Sequence, residues 1–281
     1  MSRIDELIER MCPDGVEYKA LGDLFDTRGG YTPSKRNPEY WQDGTVPWFR
    51  MEDIRANGRV LREALQYINI SAVKRAGLFP AGSIVVATSA TVGEHALLEV
   101  DALTNQRFTC LTLKRQFADA FMPRFLYHYC FLLDKYCLEH LTQGSFPSVH
   151  MPSFMKFQFP MIPLEIQQEI VRVLDSFAEL EAELEARKRQ YVYYRDKLLA
   201  YSHDSSFEWR KLGDIAHIGR GDYITQKGIK PGKIPVILGG TEPAYYHAKC
   251  NHAGEGIVIS RSGINAGFVT YWNEPIFVSD G

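Results

Sequence analysis

Apolar residues fall into two regimes along this chain. In the first, Ile166, Ile170, Val173, Phe177, Leu180, Leu184, Arg187, Tyr191, Tyr194, Leu198 and Tyr201 advance by alternating steps of four and three without a slip. That spacing predicts one continuous helix with a single apolar seam, in which Arg187 is the only charged member. Pro163 opens it at the first turn, where proline is tolerated. At ~1.5 Å per residue the seam is roughly 54 Å long. A lone helix with such a stripe needs a partner, in cis or in trans.

The second regime is short and mixed. Ile4, Leu7, Ile8 and Met11 share one face of a helix over 2–11, which Pro13-Asp14-Gly15 ends with turn chemistry. Strands are predicted over 46–49, 83–88 and 108–113. A helix is predicted over 121–141, where Phe121, Phe125, Tyr129, Leu132 and Tyr136 follow a 3.6 period. A Ser/Pro/Gly-rich loop, 142–153, and an apolar segment, 154–162, lead into the long helix. The class is α+β.

The mixed regime begins twice. Glu17-Tyr18-Lys19-Ala20-Leu21-Gly22-Asp23-Leu24 returns as Glu208-Trp209-Arg210-Lys211-Leu212-Gly213-Asp214-Ile215, an offset of 191 residues. Ser83-Ile84-Val85-Val86 through Ser89 and Gly93 finds an echo in Gly256-Ile257-Val258-Ile259 through Ser262 and Gly267, at an offset of about 174. A period this long means a duplicated domain, since solenoid units run ~20–50 residues. Two like domains around a rod suit two like targets at a fixed separation.

Composition narrows the class. The 281 residues are 45% hydrophobic and 12% aromatic, as in globular proteins. Residues 1–10 lack an apolar signal region, and no apolar run approaches the ~18–20 residues of a bilayer span. The five scattered cysteines, without a Cys-x-x-Cys, read as reduced thiols of a cytoplasmic protein. Net charge is −2. Basic residues nevertheless cluster locally: Arg28, Lys35, Arg36, Arg50, Arg55, Arg59 and Arg62 in the first domain, and Arg220, Lys227, Lys230 and Lys233 in the second. Basic loops on a neutral body can track phosphates.

Catalytic motifs are weak. Pro13-Asp14-Gly15-Val16-Glu17-Tyr18-Lys19 superficially suggests a nuclease, but its carboxylates are three apart and its repeat lacks the Pro-Asp. Asn273-Glu274-Pro275-Ile276-Phe277 does not meet the Asn/Asp-Pro-Pro-aromatic signature of an adenine methylase, and no cofactor-binding strand–Gly-loop–helix unit accompanies it. Gly228-Ile229-Lys230-Pro231-Gly232-Lys233 lacks the spacing and hydroxyl of a phosphate loop. His247, Cys250 and His252 offer three zinc-type donors, yet no fourth is evident and the first copy has no counterpart. No enzyme activity, resident cofactor or metal is expected.

The chain resembles the DNA specificity subunits of type I restriction–modification systems. The residues that carry the resemblance are Asp5-Glu6-Leu7-Ile8 with Pro13-Asp14-Gly15-Val16, the paired Leu-Gly-Asp starts, Pro163-Leu164-Glu165-Ile166-Gln167-Gln168-Glu169-Ile170-Val171, and the helix ending Lys188-Arg189-Gln190-Tyr191-Val192-Tyr193-Tyr194-Arg195-Asp196-Lys197-Leu198-Leu199. It covers essentially the whole chain. It implies an N-terminal helix (1–16), a first target recognition domain (17–160), a coiled-coil spacer helix (161–204) and a partial second recognition domain (205–281). It also implies double-stranded DNA as the ligand, methylation subunits that dock on the helices and carry S-adenosylmethionine, and a motor-nuclease subunit. Each recognition domain would read half of a bipartite site, and the rod, about one and a half turns of B-DNA at ~34 Å per turn, would set the spacer.

Site candidates follow from residue type and loop position. Arg50, Arg55, Asn105, Gln106, Arg107 and Gln143 suit base edges, and Lys35, Arg36, Arg59, Lys74 and Arg75 suit phosphates. Ile170, Phe177, Leu180, Leu184, Tyr191, Tyr194 and Leu198 form the seam for a partner helix. The chain departs from the family pattern at Ser279-Asp280, which corresponds to about Thr104-Asn105, so counterparts of 107–163 and of a second helix are missing from this sequence. That departure suggests self-pairing through the helix. A coiled-coil interaction protein with duplicated protein- or glycan-binding domains is the alternative.

Overall fold

The structure is a computed structural model that describes residues 2–142, 144, 146–200, 208–279 and 281. It divides into two compact units, Met1–Asp196 and Lys197–Gly281.

The first unit opens with α1 (Arg3–Met11), whose Ser2 and Asp5 cap each other reciprocally and whose Leu7 is buried. Then come β1 (Tyr18–Ala20), α2 (Leu21–Leu24), β2 (Phe25–Gly29), β3 (Val46–Phe49), α3 (Met51–Asn57), β4 (Val60–Leu61), β5 (Tyr67–Ile68), β6 (Ile84–Ala87), β7 (His95–Leu98), β8 (Leu103–Thr104) and β9 (Phe108–Leu113). Helix α4 (Pro123–Glu139), α5 (Met151–Phe154), β10 (Gln158–Pro160) and α6 (Leu164–Leu199) complete it. The strands form a five-stranded sheet in the order β2-β9-β6-β7-β4, a three-stranded sheet β5-β3-β8, and the pair β1-β10. That last pair joins the two ends of the predicted recognition domain: Tyr18 sits opposite Pro160, and Ala20 opposite Gln158.

Strand β6 shows why the five-stranded sheet is buried on both faces. Successive strand residues point to opposite sides. Ile84 and Val86 enter one core with Leu21, Leu24, Phe125, Leu133 and Phe159, while Val85 and Ala87 enter another with Trp48, Phe49, Ile54 and Phe108. Helix α4 covers the first face through Phe125, Leu126, Cys130, Leu133 and Cys137. This stripe is displaced from the expected one: Leu132 is exposed, and Tyr129 and Tyr136 lie at its border against Phe157. Burial pushes the thiols up, Cys110 to about 11 and Cys137 to about 12.

The heptad seam divides in two. Its root is core of the first unit, with Ile166 buried and Ile170 packed beside it. Beyond Asp175 the seam is bare, from 48% exposed at Tyr194 to 66% at Tyr191. Tyr201 lies outside the described residues.

The second unit contains α7 (Leu212–Ile215), β11 (Ile234–Ile237), β12 (Tyr245–His247), β13 (Gly256–Ile259), β14 (Val269–Trp272) and β15 (Phe277–Val278). Its strands pair as β12-β11-β15 and β13-β14 around a small core of Ile237, Val258 and Ile276.

Candidate nucleic-acid interface

Four segments distant in sequence meet around Tyr31. Its N–H donates to the Thr104 carbonyl (2.8 Å) and its carbonyl accepts from Trp48 Nε1 (3.0 Å). Its hydroxyl donates to the Ala72 carbonyl (3.1 Å) and accepts from the Lys74 N–H (2.9 Å). Gly30 packs so closely that an added Cβ would stand 2.2 Å from the Asn105 carbonyl oxygen, so only glycine lets the segments approach. The parallel pairing of β3 with β8 sets Phe49 beside Thr104, and the Asn105 N–H donates to the Phe49 carbonyl at 3.1 Å.

The gathered segments, 30–36, 48–50, 72–76 and 104–107, carry Lys35, Arg36, Arg50, Lys74, Arg75 and Arg107 and no aspartate or glutamate. On a chain of net charge −2 this is a local concentration of positive potential, able to attract a polyanion. Aromatic rings hold two of the cations. The Arg50 guanidinium lies 5.3 Å from the Trp48 ring and Lys74 Nζ lies 4.3 Å from the Tyr31 ring. Trp41 steadies Trp48 edge-on at 5.2 Å and donates from Nε1 to the Ser34 carbonyl (3.2 Å), which fixes the loop bearing Lys35 and Arg36. Thr32 Oγ1 donates to Gln106 Oε1 at 2.6 Å, and the Arg107 N–H donates to Asn105 Oδ1 at 3.0 Å.

The structure thus brings together Lys35, Arg36, Arg50, Lys74, Arg75, Asn105, Gln106 and Arg107. It does not bring Arg59 to them. That guanidinium pairs with Asp134 of α4 (3.1 Å) and covers the Phe131 ring. Arg55 is exposed on α3, and Gln143 lies outside the described residues. The neighbouring loop does reach the same place: the Thr88 N–H donates to the Arg107 carbonyl and the Val149 N–H to the Thr88 carbonyl (3.0 and 2.9 Å). Sequence reading missed Tyr31, Thr32 and Trp48. Gly29-Gly30 before an aromatic was the available signal, because paired glycines mark close backbone approach.

A second functional surface is the bare rod, and its root is anchored by polar groups. Gln167, fully buried, accepts from the Met122 N–H (2.9 Å) and donates to the Ala120 and Ile162 carbonyls (2.7 and 2.8 Å). Asp175 receives Arg124 Nε (3.1 Å) and His128 Nε2 (2.7 Å) of α4. These bonds hold the helix on the unit up to the point where the seam becomes bare.

The weak motifs resolve into ordinary structure. Glu17 pairs with Lys19 (2.6 Å), Ile276 is core, and His247 Nδ1 accepts from the Lys230 N–H (2.9 Å). Among the described residues no three His, Cys, Asp or Glu side chains gather as a metal site would require.

The family model of the type I restriction modification DNA specificity domain matches residues 13–193. The chain belongs to this family. It is 45% identical over 289 residues to the Escherichia coli type I restriction enzyme EcoprrI specificity subunit, covering 96% of this chain and 72% of that relative. It is 30% identical to the Escherichia coli EcoR124I/EcoR124II specificity subunit, over 66% of this chain and 48% of the relative. The crystal structure of a type I restriction-modification system S subunit from M. genitalium superposes with a TM-score of 0.62 at 17% identity, over 95% of this chain and 71% of that one. At that identity the likeness concerns the fold, a mixed α/β recognition domain joined to a long helix. Family membership places the chain with the DNA-specificity component, which recognises sequence and does not catalyse. No described helix is long and apolar enough to cross a membrane.

Proposed function

We propose that the first unit reads one half of a bipartite DNA target while α6 scaffolds the methylation subunits, which carry S-adenosylmethionine and act on DNA in the cytoplasm. A motor-nuclease subunit would join for cleavage. The observation that carries this reading is the acid-free set of six cations and two amides held around Tyr31. Cations anchor phosphates, and amides and arginines reach base edges. The bare seam beyond Asp175 suits a partner helix, either the second helix of a longer relative or that of a second copy of this chain.

Modularity gives the test. Base contacts lie in one unit, whereas half-site spacing belongs to the rod. Residues 17–160 grafted onto a relative's helix should therefore transfer one half of the motif seen by sequencing methylated genomic DNA. A chimera whose motif is unchanged, or altered in both halves, overturns the proposal.

A further inference from the structure

We propose that the surface around Tyr31 reads the two-acceptor edge of guanine, and that Thr32 is the positioning residue that turns Gln106 to do so. This rests on the DNA-reading function argued above and names the base it takes.

The reasoning is an inventory of donors and acceptors. Arg50 and Arg107 can only donate. Asn105 and Gln106 carry both kinds of group, but each amide oxygen is already engaged: Asn105 Oδ1 by the Arg107 N–H at 3.0 Å, Gln106 Oε1 by the Thr32 hydroxyl at 2.6 Å. Their amide nitrogens bond no described residue and remain as donors. The four segments contain no carboxylate. Asp53, just beyond Arg50, is buried and accepts from the Arg50 and Leu65 N–H groups at 2.7 and 2.6 Å. What faces a ligand is therefore a surface dominated by donors, on which each amide oxygen keeps only its second lone pair. In the major groove guanine presents N7 and O6, both acceptors, whereas adenine pairs its acceptor with an N6 donor and cytosine presents an N4 donor. A surface of paired donors matches guanine and opposes cytosine. Thr32 matters because, as placed, its hydroxyl donates to Oε1 and so leaves the Gln106 nitrogen pointing away; without that bond the Gln106 amide can turn over and accept from adenine or cytosine.

The experiment uses the chain assembled with its methylation subunits. The motif is read from methylated DNA, and binding is measured on duplexes in which single guanines become 7-deazaguanine, which lacks N7. At least one guanine in the half assigned to residues 17–160 should weaken binding about fivefold or more when replaced. Thr32→Val and Gln106→Ala should each relax the same base pair, the double variant should add nothing further, and Thr32→Ser should retain discrimination. A half-site built only of A·T pairs overturns the proposal. So does 7-deazaguanine without effect while Lys35→Ala still flattens the salt dependence; the DNA-reading function then survives and its guanine preference does not. A Gln106→Ala effect at a base that Thr32→Val leaves untouched removes Thr32 from the mechanism. Loss of all salt-dependent DNA binding as the wild-type property overturns both.

Discussion

The two copies of the Leu-Gly-Asp start share a conformation and differ in fate. Ala20 precedes α2 at φ −68°, ψ 148°, and Lys211 precedes α7 at φ −69°, ψ 146°; each leads into a four-residue helix. Yet Leu21 and Leu24 are fully buried, whereas their equivalents Leu212 and Ile215 are 56% and 65% exposed. Strand β13 repeats the contrast with alternate residues. Val258, the equivalent of Val85, is buried, but Ile257 and Ile259, the equivalents of the buried Ile84 and Val86, are exposed. In the first unit the core around Ile84 and Val86 is closed by α4 and β10, whereas the described residues of the second unit include no α-helix longer than α7. The contrast teaches that local sequence sets the turn and the pleat, while burial is decided by segments distant in sequence, here α4 and β10. The second unit keeps the face of the sheet that its own residues can cover.

The largest effect expected from testing this contrast lies on the helix between the copies. Leu180 and Leu184 present the same kind of uncovered apolar face as Ile257 and Ile259. If partner helices cover the rod, each leucine contributes ~1.5–3 kcal/mol to association, and the Leu180→Glu, Leu184→Glu double variant should lose docking altogether. Thermal unfolding of the first unit should be unchanged, because the seam beyond Asp175 contributes nothing to that core. Normal co-purification with methylation subunits would show that the seam is not the interface.

A smaller effect separates the copies directly. Leu21→Ala removes a fully buried side chain and should cost ~2–5 kcal/mol. Leu212→Ala, at the same place in the repeat, should stay within ~0.5 kcal/mol. Denaturant unfolding of the two variants checks this. Equal losses would mean that the second face is covered in solution, and by an element that behaves like α4.

The same contrast explains what the sequence discloses. The rod is legible because a heptad pattern is a local regularity repeated five times. The two starts are legible because the shared Leu-Gly-Asp, framed by similar residues, favours the same turn. The interface is only half legible. Arg50, Gln106 and Lys74 follow from residue type, but their assembly depends on Tyr31 and Thr32, whose bonds span 74 residues to Gln106 and 43 to Lys74. Arg59 shows the opposite outcome. By type and position it matched the phosphate anchors, and Asp134, 75 residues away, pairs with it instead. Gln167 and Asp175 look like the polar face of a coiled coil, and only the fold reveals them as the groups that hold the helix root. Pairing between distant side chains leaves no period to read.

The smallest expected effect asks whether the second copy has a working basic surface. In the first unit Lys35 lies in the acid-free set, three residues after Thr32, which donates to Gln106 of the turn that also carries Asn105 and Arg107. In the second unit the basic loop of Arg220, Lys227, Lys230 and Lys233 includes Asp222, which accepts from Asn251 Nδ2 at 3.1 Å, and no described counterpart of the 105–107 turn stands against it. A lysine that neutralises one phosphate releases about one counterion, so its loss should flatten the log–log dependence of binding on salt by about one unit. Lys35→Ala should do this on every DNA sequence alike, since a phosphate contact carries no base information. Lys227→Ala should leave the slope unchanged, because Asp222 sits in the same loop and no described turn stands beside it to seat it on the duplex. Titration of DNA binding between ~50 and ~200 mM salt measures both slopes. A slope change with Lys227→Ala equal to that with Lys35→Ala would show that the second copy engages phosphates without a described counterpart of the 105–107 turn. The burial contrast between the copies would then describe stability and not recognition.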